Sequence, residues 1–139
     1  MEREYRELKA RWIVGERDRE TGLKLMFFAW MHEADPNFVT GFTNDPEAIP
    51  LWHELFKWFG GLKSDDTEFL HCAGLMARLF PYVLGEEDTW VRNASLLEER
   101  ARRLRPEGFT ASHFEGRGDF GDYFAHQNRA SAIYRAKLH

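Results

Sequence analysis

Six histidines (32, 53, 71, 113, 126 and 139), one cysteine and 23 acidic residues are the groups with which this 139-residue chain could do chemistry. No histidine stands three or four residues from another, the spacing at which two imidazoles share one helical face and one metal. His32-Glu33 and His53-Glu54 both open like the zinc-protease signature H-E-x-x-H, but Pro36 and Lys57 stand where its second histidine belongs. Glu68-x-x-His71 has the spacing of a di-iron ligand pair, an acid and an imidazole on one side of a helix. A complete site needs a second such pair and two further glutamates, and no other E-x-x-H occurs. Glu68 and His71 therefore remain an incomplete pair, and no metal or other cofactor is expected. Cys72 lies in the apolar run of Ala73, Leu75 and Met76, where a thiol behaves as a small buried hydrophobe. No local arrangement of serine, histidine and acid stands out, so no catalytic residue is assigned.

Gly116-Arg117-Gly118-Asp119-Phe120-Gly121 matches G-x-G-x-x-G to the letter. A dinucleotide site needs a strand before that motif, a helix after it and an acid about 20 residues on. Here a helix and a short turn precede it and only 18 residues follow. A tight bend between helices is the better account, since glycine adopts positive φ cheaply.

What remains is aromatic: 12 Phe, 5 Trp and 4 Tyr, 15% of the chain. Phe27-Phe28-Ala29-Trp30 forms one cluster, and the stretch from Trp52 to Phe59 forms another. In the second, Trp52, Trp58 and Phe59 point around more than half a helix and cannot all face one neighbour. Part of this ring area is core. The rest is expected to meet a ligand, because large rings beside polar groups are what binding surfaces use. Trp30, His32, Trp52, His53, Phe56 and Trp58 are the candidate binding residues.

The elements that must position these groups are helices. Tyr5, Leu8 and Trp12 share a stripe, and a second helix spans about Asp18 to Glu33, apolar on every side from Leu25 to Met31. Such a helix belongs in mid-core, with Asp35-Pro36 as its stop. A loop at Gly41 and Asn44 follows. Asp45-Pro46-Glu47 reads as a helix opening, Pro50 as a kink in its first turn, and Gly60-Gly61 as its end. Asp65 with Glu68 resembles a capping box for the next helix, which Pro81 stops. Trp90, Ala94, Leu97, Ala101 and Leu104 repeat at four and three over Thr89–Arg105. Acids crowd its start and arginines its end, as the helix dipole favours. Phe109 and Phe114 are placed like a hydrophobic staple around Thr110. The last helix carries Tyr123, Phe124, Ala130, Ile133 and Tyr134. No alternating runs remain to build a sheet. The expectation is one all-α domain, residues 1–139, of about six helices.

Composition narrows the function classes. So many aromatics exclude disorder for most of the chain. The net charge of −4 argues against nucleic acid and anionic membrane as partners. The longest apolar run, Leu25–Met31, is far short of the roughly 20 residues that span a bilayer. The charged start, Met1-Glu2-Arg3-Glu4, does not look like a signal peptide. With a single cysteine, the expected location is the cytoplasm. Residues 31–91 hold 11 acids against 3 bases, and residues 92–139 hold 6 against 9. That asymmetry serves either intramolecular pairing or an acidic face for a basic partner.

From Phe69 to Pro106 the chain resembles a tetratricopeptide-type helical hairpin. It carries a mid-helix Gly74, alanines seven apart at Ala94 and Ala101, and Pro106 five residues further on. Gly74 to Ala94 is about eight residues longer than the family's interval, with Pro81-Tyr82-Val83-Leu84-Gly85 in the excess. The resemblance implies a scaffold whose ligands are proteins or peptides. The leading expectation is thus a helical module that binds a protein or peptide through an aromatic, acidic surface. One alternative is an enzyme or small-molecule carrier with a pocket anchored by His32, His53 or His71. Another is a homodimer whose rings meet across a two-fold axis.

Overall fold

The computed structural model describes residues 1–34 and 45–138. Every regular element among them is helical, so the chain is all-α. The sequence reads as one domain; the contacts divide it into two compact units, Met1–Pro106 and Glu107–His139. The expected stop at Asp35-Pro36 and the loop at Gly41 and Asn44 lie outside the described residues, as do the side chains of Ile133 and Tyr134.

In the first unit, α1 (Glu2–Ile13) buries the expected stripe of Tyr5, Leu8 and Trp12. The next helix, α2 (Arg19–Ala34), is buried almost all round from Leu23 to His32. The Asp18 carboxylate opens it by accepting from the Thr21 amide at 2.9 Å and the Thr21 hydroxyl at 2.7 Å. These two bonds hold the Asp18 carboxyl below its ordinary pKa. Helix α3 (Ala48–Trp58) starts two residues later than the sequence suggests, after a turn at Asp45-Pro46-Glu47. Pro50 therefore falls in its first turn, where the missing amide would have had no partner in any case. The first helical bond runs from Leu51 to Glu47 at 2.9 Å.

Gly60 at φ +104° ends α3, and a 3-10 turn (Gly61–Lys63) leads into α4 (Thr67–Leu79). Asp66 caps α4, accepting from the Phe69 amide at 3.1 Å. The expected cap, Asp65, lies one residue too early and pairs instead with Arg100 at 2.6 Å. Pro81 opens the short α5 (Pro81–Leu84), and Glu86 caps α6 (Glu87–Leu104).

Successive long helices run antiparallel, as their contacts show. Tyr5 of α1 lies against His32 of α2, while Arg11 meets Thr21 at the other end. A side chain added at Gly22 of α2 would meet Phe59, just past α3, at 3.1 Å. Trp52 of α3 reaches Met76 of α4, and Phe59 stacks on Phe69. Arg100 of α6 binds Asp65 ahead of α4, while Arg78 near the end of α4 meets Glu98 of α6. One end of the unit therefore gathers the last turns of α1, α3 and α6, the first turns of α2 and α4, and the 3-10 turn.

The second unit contains α7 (Ala111–Phe114) and α8 (Gly118–Leu138). Phe114, Phe120 and Phe124 are fully buried and their rings touch one another. The expected staple forms, with Phe109 and Phe114 at 5.9 Å between ring centroids. In the glycine motif, Gly116 and Gly118 adopt positive φ and make the bend. Gly121 lies within α8, and a Cβ there would fall 2.0 Å from the Phe114 carbonyl oxygen.

Candidate functional site

Helical geometry separates the candidate binding residues. On α3, Trp52 and Phe56 are one turn apart and face inward, whereas Trp58 points to the opposite side. The Trp52 indole is fully buried, stacks on Phe56 and donates to the Met76 sulfur at 3.3 Å. His53 and Phe56 are half-buried, and both rings lie against Trp90. The Nε2 of His53 donates to the Leu84 carbonyl at 2.6 Å, clasping α3 to α5. Trp30 is fully buried beside Phe80. His32, also buried, donates from Nδ1 to the Phe28 carbonyl at 2.9 Å, with its Nε2 3.5 Å from a Glu2 oxygen. These six residues do not form one surface. Trp30, His32 and Trp52 belong to the core, because α2 is enclosed by its neighbours and the inner face of α3 is turned toward α4 and α6.

The metal candidates divide in the same way. Glu68 is buried, with a carboxylate oxygen 3.4 Å from Arg19. His71 is half-buried on the same helix. Among the described residues no group of three or more His, Cys, Asp or Glu could hold a metal ion. Cys72 is buried. A groove of about 620 Å³ follows α1 and α2, lined by Glu4, Glu7, Arg11, Asp18, Thr21 and Lys24 among others. No histidine lines it.

Trp58 is different: it remains 43% exposed, its ring edge-on to the buried Trp12 at 5.1 Å. The two residues after Trp12, Ile13 and Val14, are 64% and 75% exposed. Arg17 lies over the Trp12 ring and pairs with Glu54 of α3 at 3.9 Å, tying the turn between α1 and α2 to α3. Leu62 in the 3-10 turn and Leu104 in the last turn of α6 are exposed too. All five apolar side chains stand at the end of the first unit where α1, α3 and α6 finish.

The sequence reading missed four of these five, and for two of them a signal existed. Ile13 and Val14 fall off the stripe of Tyr5, Leu8 and Trp12, so a helical projection already turns them outward. Leu104 does fall on its helix's core stripe. It is 44% exposed all the same, while Leu97 two turns earlier is sealed. Where the core stripe of α6 stops being covered is a tertiary fact.

Charge follows an equally clear pattern. Carboxylates of the acidic stretch find bases outside it: Asp45 and Glu47 with Lys9, Asp66 and Glu68 with Arg19, Asp65 with Arg100. Tyr5 donates to the same Asp45 oxygen at 2.6 Å. Burial pushes the Asp45 carboxyl up, but the Tyr5 and Lys9 hydrogen bonds outweigh it and bring the pKa down to about 2. For Tyr5, burial and the Asp45 carboxylate both raise the phenol far above its ordinary range. No protein-family model matches this chain, and neither does any curated protein or solved structure.

Proposed function

We propose that the chain is a helical interaction module that binds a protein or peptide through the apolar end of its first unit. The observation that carries this reading is the exposure of Trp58 together with Ile13 and Val14. Four of the other large side chains in these helices, Trp12, Trp30, Trp52 and Phe69, are sealed inside. Single exposed apolar residues are ordinary on protein surfaces, whereas several gathered at one place and ringed by charge have the make-up of an interface. The helical pair α4–α6, which carries the tetratricopeptide-like pattern, supports the same class of function. The pocket alternative has less support, since His32, His53 and His71 have separate surroundings and none lines the described groove.

Affinity capture with chemical cross-linking, run in parallel on the parent chain and on Val14→Asp/Trp58→Ala, tests the reading. Both side chains are exposed, so the variant should keep the parent's helical circular dichroism. Partners recovered with the parent and lost with the variant are the expected result. Identical recovery from both, or none from a folded parent, would refute the proposal.

A further inference from the structure

We infer that the partner presents an acidic segment to this end of the first unit, one in which carboxylates adjoin apolar side chains. The inference rests on the interaction-module reading and adds the partner's chemistry to it. Three carboxylates at this end are already engaged, Glu54 with Arg17, Asp65 with Arg100 and Asp66 with Arg19, while Glu99, one turn before Arg103, is exposed. Lys57, Lys63, Arg102 and Arg103 are exposed, and none makes an ion pair among the described residues.

Their positions are regular. Lys57 precedes Trp58, Lys63 follows Leu62, and Arg103 precedes Leu104. Three exposed apolar side chains on three elements thus each have an unpaired cation beside them in the chain. Acidic side chains next to apolar ones would satisfy both halves of each pair. A basic segment would set like charges together, at a cost that excludes wrong partners and slows encounter. Arginine and lysine stems add apolar contact beneath their charged heads. A protein segment suits this end better than an anionic bilayer. The cations stand on three separate elements, each beside its own apolar side chain, a pattern that alternating acidic and apolar residues of one segment can match and a uniformly anionic surface does not.

Selection from a random displayed peptide library on the immobilised full chain tests this directly. Enriched sequences should pair Asp or Glu with Trp, Phe or Leu. Their binding should fall roughly tenfold or more in Lys57→Glu/Lys63→Glu and in Arg102→Glu/Arg103→Glu, and should weaken as salt rises. Peptides with acids changed to lysine should bind Arg102→Glu/Arg103→Glu better than the parent, a gain that misfolding cannot produce. Enriched peptides that are neutral or basic, or affinities unmoved by these substitutions, would overturn the inference and leave the interaction-module reading standing. No selectable peptide from a folded chain would overturn both. Two further outcomes would also overturn it. Co-sedimentation with phosphatidylserine-containing vesicles, lost in the same variants, would give this end to a lipid surface. Self-association in light scattering, lost in the same variants, would give it to a second copy.

Discussion

Asp45 shows what single residues contribute here. It accepts from Tyr5 and Lys9 of α1 and from the Glu47 amide just before α3, so one carboxylate fastens two elements. Its pKa is lowered from 3.8 to about 2, so its contribution is complete above pH 4 and is lost as pH falls through about 2. Asp45→Asn should cost about 1–2 kcal/mol near neutral pH, and the gap to the parent should close between about pH 4 and 2. Denaturant melts across that range check it; a gap that is constant or widens in acid would contradict it. His53 has an equally structural task, since its removal leaves the Leu84 carbonyl without a donor from that ring. The sequence could not assign these roles, because the partners lie 40 and 31 residues away. The apolar character of Trp30 was legible, set as it is in seven consecutive apolar residues.

At the scale of elements, helices, stops and most stripes followed from periodicity, and the details that failed concern single-residue choices between neighbours. Asp65 and Asp66 are chemically identical caps. Ser64, which accepts from the Asp66 amide, and Arg100, which takes Asp65, decide between them. Asp66→Ala should cost about 1–2 kcal/mol, from the cap and the Arg19 pair together, while Asp65→Ala, which breaks only an exposed pair, should stay within about 0.5 kcal/mol. Equal losses in thermal melts would return the cap to Asp65. Gly121 makes a sharper case. Gly121→Ala should destabilise the second unit by about 1–3 kcal/mol, since a Cβ would collide with the Phe114 carbonyl. Hydrogen exchange in residues 111–131 reads the effect, and unchanged protection there would show that the turn can widen.

For the whole molecule, the sequence carried a surplus of rings and an uneven charge; the charge followed the first of its two readings, intramolecular pairing, and the rings went largely to the core with a few left outside. Most rings entered the core: α2 is enclosed nearly all round, and Trp52, Phe56 and Trp90 pack on one another. The acidic stretch largely pairs with bases from α1, α2 and α6, leaving cations around the exposed apolar residues. Neither outcome was legible locally, because both depend on which helix ends meet. The claim that this end is the binding surface is tested most directly by a photoreactive residue placed in turn at Val14, Trp58 and Tyr82. Tyr82 is similarly exposed but stands at the opposite end of the helices. Cross-links to a partner from positions 14 and 58, with little from 82, are predicted. Cross-links from position 82 alone, or from none of the three in a folded chain, would contradict the account.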